Sequence, residues 1–177
     1  MTVDEFRKEL DEYTGFGSSD DWWGDIDRLR NEYPHTIRKL DHPELRSFNC
    51  FMHALGLHDT PGGPSKTAPD DKKLVDGCFV RFLLTRGVLK DKGDPTKREP
   101  GDLLIYEKEG YAVHAGLATR DKRVVSKWGS GLLLEHEILE VPYSYGRMVR
   151  CYEPPNIDVI ERLFLQYSRF MRENQDA

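Results

Sequence analysis

The chain has 177 residues, enough for one domain with a buried core. Apolar residues make up 38% and charged residues 32%, and 11% aromatics exclude a disordered chain. A net charge of -5 with no basic stripe excludes a general nucleic-acid binder.

Val3, Phe6, Leu10 and Tyr13 fall at helical spacing and predict a first helix over residues 2–13. This acidic amphipathic start is not a signal peptide. No apolar run approaches the roughly 20 residues of a membrane span. The reading is therefore of a cytoplasmic protein, or one exported without a cleaved signal, and of no membrane partner. After a break with Ser19 or Asp20 as cap, "DWWGDIDRLRNEY" forms a second helix, stopped by Pro34. A short connector leads to "SFNCFMHALG", where Ser47 and Asn49 precede a helix that begins at Cys50. Residues 58–73, rich in proline and glycine, form a surface loop. "LVDGCFVRFLLTRG" forms the next helix, with Cys78, Phe79, Phe82 and Leu83 turned to the core. Residues 91–100 are a second loop.

Beyond Pro100 the period changes from helical to two. "GDLLIYEKEG", "YAVHAGLATRD", "KRVVSKWGSG", "LLLEHEILEVP" and "RMVRCYE" read as five antiparallel strands joined by short turns. A last amphipathic helix, "NIDVIERLFLQYSRFM", closes the chain. The order of helices, strands and one helix gives an α+β layout in a single domain over 1–177. Residues 1–46 are a helical extension, 47–152 the core and 153–177 a C-terminal helix. The extensions are expected to cover sheet edges and to offer a protein partner a surface.

Three widely spaced cysteines, Cys50, Cys78 and Cys151, make no disulfide framework. Without a C-x-x-C pair no structural zinc is expected, and no cofactor. Cys78 and Cys151 sit in apolar periodic stretches and read as structural. Cys50 reads either as a small apolar filler or as a nucleophile favoured by a helix N-terminus. A nucleophile needs a base and a group to orient that base. Among six histidines, His35, His42 and His58 read as solvated, and His53 as packing or capping, with local pairing to the Cys50 thiol as the alternative. His114 shares a strand face with Ala112 and Gly116, small residues that leave space beside the ring; the alternative is an ordinary strand histidine at a sheet edge.

These pieces, Pro100, Gly101, Asp102 and Leu103, then His114 and Gly116, with Asn49 and Cys50 upstream, resemble the signature of the NlpC-type cysteine hydrolases, a branch of the papain-like superfamily. The resemblance covers roughly residues 47–141. It implies a papain-like fold, with a nucleophile helix packed on an antiparallel sheet of about five strands. It implies Cys50 as nucleophile and His114 as base. The third position falls at Ser126, where the family carries His, Asn, Gln or Glu. That departure leaves Glu135 or His136 as replacements, and alternation lets at most one of them face the site. "SKWGSGLLLEH" is also similar to a bacterial group of unknown function that combines Asn-Cys, Ser-Lys-x-Gly and Glu-His. This groups Ser126, Lys127, Gly129, Glu135 and His136 with Asn49 as one constellation. The alternative is that Lys127 is solvated and paired with Glu135 while His136 packs. Trp22, Trp23, Trp128, Tyr143 and Tyr145 are candidates to line a groove, Trp128 foremost as a substrate contact.

The activity implied is cleavage of an amide or isopeptide bond in a peptide or protein substrate through an acyl-enzyme, in a delivered antibacterial effector, a phage product or an enzyme with a cytosolic target. An acyltransferase shares the covalent step. A non-enzymatic interaction module that keeps the scaffold is the competing expectation.

Overall fold

The computed structural model describes residues 1–15, 19–41, 48–61, 64, 73, 75–128, 131–154 and 156–175, and the side chains of 15 and 19–22 lie outside that description. The cap expected at Ser19 or Asp20, Trp22, His42, Ser47, Gly129 and most of the loop at 58–73 therefore lie outside it. Among the described residues there are five α-helices: α1 (Val3–Gly15), α2 (Ser19–Leu29), α3 (Cys50–Ala54), α4 (Gly77–Thr85) and α5 (Ile157–Gln175). The strands are β1 (Arg38–Leu40), β2 (Asp91–Gly93), β3 (Leu103–Lys108), β4 (Tyr111–Ala118), β5 (Val124–Lys127), β6 (Leu133–His136) and β7 (Met148–Tyr152).

One antiparallel sheet of seven strands runs in the order β1-β6-β5-β4-β3-β7-β2. The mixed α and β layout is as the sequence indicates, but the strand count is seven and not five. The two additional strands, β1 and β2, have three residues each and sit at the two edges.

Helices cover both faces of the sheet. On one face Leu103, Ile105, Ala115 and Tyr152 pack with Phe51, Met52, Phe79, Leu83, Ile160 and Phe164 from α3, α4 and α5. On the other, Leu104, Tyr106, Val124, Leu134 and Cys151 pack with Phe6, Leu10 and Ile26 from α1 and α2. Two covered faces explain why β3 begins as a continuous apolar run and does not alternate. The terminal helices thus cover faces, and not the edges expected of them.

Two contacts fix the helices on the sheet. Arg7 is fully buried and donates to the carbonyls of Val141 (3.0 Å), Pro142 (3.3 Å) and Gly146, which ties α1 to the chain before β7. At α4, Asp76 Oδ1 accepts from the N–H groups of Cys78 and Phe79, capping the helix. There Gly77 approaches β4 so closely that an added Cβ would lie 2.2 Å from the Ala112 carbonyl oxygen. Phe79 and Leu83 are buried and Phe82 half-buried, but Cys78 is exposed, a correction to its expected core position. Gly77→Ala is expected to cost about 2–3 kcal/mol, because backbone must move to admit the methyl group. A urea unfolding midpoint unchanged from that of the parent protein would contradict this close approach.

Candidate active site

Cys50 is the first residue of α3. Asn49 caps the helix: its Oδ1 accepts from the Met52 N–H at 2.9 Å, while its Nδ2 donates to the Val75 carbonyl at 2.8 Å. Phe48 and His53 stand at the positions of a hydrophobic staple, and their rings stack at 6.0 Å. The entry of the chain into α3 is thus fixed on both sides of the cysteine.

The sulfur lies against β4 where that strand parts from β5. The two strands pair only from Gly116 with Ser126 to Ala118 with Val124. One residue beyond, the Ala115 N–H joins those of Cys50 and Phe51 in favouring the thiolate, and the charge of Lys127 acts in the same sense. Burial outweighs them and pushes the thiol up to about 11, so the resting group is the protonated thiol. The residue nevertheless keeps part of its surface open.

Lys127 is the most unusual group of the site. Its side chain has no exposed surface. Nζ donates to the Gly131 carbonyl at 2.7 Å and lies 5.3 Å from the centre of the Phe48 ring. Burial brings its pKa down to about 8, opposed only by the nearby Cys50. Lys127 is therefore not solvated, and Glu135 does not pair with it. Glu135 instead faces Arg123 (3.7 Å) and Arg38 (3.9 Å).

The expected meeting of Cys50 with His114 does not occur. Along β4, Ala115 packs with α3, so His114 points to the opposite face. Its ring stacks on Tyr145 at 3.9 Å and lies 5.3 Å from Tyr106, and its Nε2 is buried with no hydrogen-bond partner. Ser126 and His136 share that second face. Trp128 Nε1 donates to Ser126 Oγ at 3.1 Å, and Ser126 Oγ lies 2.7 Å from His136 Nε2. His136 Nδ1 lies 2.8 Å from the Glu137 carbonyl. A carbonyl only accepts, so Nδ1 carries the proton and Nε2 accepts from the serine hydroxyl. This relay is wholly buried, and Trp128 with it, so Trp128 is a core residue and not a substrate contact. Of the residues grouped from the sequence, one face holds Asn49, Cys50 and Lys127, and the other holds His114, Ser126 and His136.

Three further assignments change. His35 is buried and its Nε2 lies 2.8 Å from the Ile26 carbonyl, and half-buried His58 has Nε2 3.1 Å from Asp59, so neither is merely solvated. Tyr145 packs on His114 and does not line an open groove. Cys151 is buried, its sulfur 3.7 Å from Asp102, in keeping with a structural reading. Phe48, the ring between Lys127 and His53, is the member that sequence reasoning missed. Its place just before the Asn49 cap is the signal that marks it. Among the described residues no group of three His, Cys, Asp or Glu is placed to hold a metal ion, and no helix is long and apolar enough to cross a membrane.

Fold and site together define an α+β domain in which a capped cysteine and a buried lysine share one face of an antiparallel sheet. The family model described as "Domain of unknown function (DUF7689)" matches residues 39–153, which is most of the chain, and the protein belongs to that family. No curated protein and no solved structure matches the chain.

Burial lowers His136 from 6.5 to about 4 and places His114 well below its ordinary value. In the unfolded chain both imidazoles take up protons near pH 6.5, and in the folded chain only at lower pH. Stability is therefore fully present above about pH 6.5 and falls as pH drops toward 4. His136 alone accounts for about 2 kcal/mol between pH 7 and pH 5. His136→Gln is expected to flatten the urea midpoint against pH in that window, and an unchanged slope would contradict the buried neutral ring.

Proposed function

We propose that the protein is a cysteine hydrolase of amide or isopeptide bonds on a papain-like scaffold, with Cys50 as nucleophile and Lys127 as its proton acceptor. The observation that carries this reading is the buried lysine, without a carboxylate partner among the described residues, on the same face as a helix-start thiol. An ammonium is costly to bury, and a lysine brought down to about 8 is poised as a base. Lys127 Nζ in its neutral form takes the proton from the thiol. The thiolate attacks the carbonyl carbon, and the N–H groups of Cys50 and Ala115 stand by the developing oxyanion. The tetrahedral species collapses as Lys127 gives its proton to the departing amine, leaving a thioester. Water, deprotonated by Lys127, then releases the acid and restores the thiol. With the thiol near 11 and the amine near 8, the first transfer is uphill by about 4 kcal/mol. A slow nucleophile follows, one that reacts fully only with bound substrate.

Two observations favour a second reading, a protein-interaction module. The imidazole that the NlpC resemblance implies as base lies on the other face, and burial holds the thiol protonated. The two readings separate on the rate of Cys50 alkylation by iodoacetamide, followed by intact mass. For the hydrolase the rate climbs through pH 8 as Lys127 loses its proton, and Lys127→Met abolishes that limb and slows labelling at pH 8.5 by about 100-fold. For the module the rate follows the buried thiol alone, rising only toward pH 11 with no inflection near pH 8. Lys127→Met is also expected to raise the urea midpoint, since it removes a buried ammonium and keeps the volume. A lowered midpoint would show that the amine is held for stability.

A further inference from the structure

A cleft of about 350 Å³ opens at the C-terminal end of α3, among Ala54, Leu55, Leu117, Pro154 and Ile157, with the His58–Asp59 pair also lining it. Three observations connect it to the thiol. His53 and Ala54, which line it, follow Cys50 by three and four positions on the helix, hence on its own flank. Leu117 follows Ala115 by two positions on β4, hence on the same sheet face. Cys50 and the lining residue Ala54 are thus about one helical turn apart along α3, roughly 6 Å of rise. Third, the Phe48 ring connects the lysine to the cleft wall: Lys127 Nζ, whose charge acts on the thiol, is 5.3 Å from its centre, and the cleft-lining His53 and His58 rings are 6.0 and 4.8 Å away.

The lining chemistry selects the occupant. Most of the wall is carbon. Its one carboxylate, on Asp59, lies 3.1 Å from His58 Nε2, and no lysine or arginine is among the described lining residues. A charged side chain placed here would lose water against a mostly carbon wall, where Asp59 already lies beside His58 and no lysine or arginine among the described lining residues meets an anion. The volume lies at the small end of ligand pockets, about 300–1,000 Å³, with room for one side chain and not an extended peptide. We propose that this cleft receives an uncharged apolar side chain, the size of leucine or phenylalanine, from the acyl half of the substrate. The assignment of the acyl half rests on the Cys50 reading; the preference for an apolar side chain does not.

Two measurements on the full chain test it. In the first, N-acetyl methylamides of leucine, phenylalanine, alanine and glutamate are titrated against amide nitrogen–proton spectra. The leucine and phenylalanine compounds are expected to shift His53, Gly56 and Leu117 and to bind at least tenfold tighter than the other two. Equal binding, tighter binding of glutamate, or shifts only elsewhere overturn the proposal. In the second, N-acetyl-leucyl and N-acetyl-glutamyl chloromethyl ketones compete for Cys50, read by intact mass. A leucyl preference of tenfold or more is expected. Ile157→Trp, which fills the cleft from a half-exposed position, is expected to remove it. Selective binding without any labelling keeps the cleft and overturns Cys50 as nucleophile. Labelling at equal rates without cleft shifts overturns the cleft and leaves the thiol. The unsubstituted chain decides both questions should the tryptophan variant fail to fold.

Discussion

The centre of this molecule is organised by the point at which β4 leaves β5. Up to Gly116 and Ser126 the two strands are bonded; past it the Ala115 N–H joins those at the start of α3 in favouring a Cys50 thiolate. Gly116 makes the close pairing possible, since a Cβ there would stand 2.5 Å from Val124 and 3.0 Å from Ser126. Because successive side chains on a strand alternate, the same junction sends Lys127 to the α3 side and Ser126 to the α1 side. Every titratable group of the site inherits its environment from that division.

The two faces then do different work. On the α1 side, Trp128, Ser126, His136 and the Glu137 carbonyl form a relay in which each donor has one acceptor, within a core of aromatic rings. Such a satisfied buried network orders its surroundings. On the α3 side the polar groups are not so neatly balanced. A thiol and an ammonium are held close, with only a carbonyl and an aromatic ring among the described residues to compensate the charge. Imbalance of this kind is costly to stability, and it is where reactivity is to be sought.

Much of this was legible in the sequence. The helical period of Val3, Phe6 and Leu10 located α1, and the change to a period of two after Pro100 located β3 to β7. Asn49 before Cys50 marked a capped helix start, although α3 runs only five residues. β1 and β2 were not legible, because three residues cannot display a period and Asp-Lys-Gly has the composition of a turn. The placing of His114 failed for a different reason. Alternation already set it apart from Ala115; what no local pattern states is which face of the sheet a distant helix will cover. The burial of Lys127 was hidden for the same reason, since its neighbour Phe48 lies about eighty positions away in the chain. His35 and His58 looked solvated from their polar neighbours, and only tertiary packing encloses them.

The two three-residue strands at the margins of the sheet carry a last implication. β1 presents Arg38 and Lys39, both exposed, and β2 presents Asp91 beside Lys92, whose ammonium bridges Glu99 and Asp102. Strands this brief and this charged give an approaching chain little ladder to extend and a desolvation penalty for trying. The apolar runs of the central strands are thereby set back from the sheet's margins, which disfavours edge-to-edge stacking of one molecule on another.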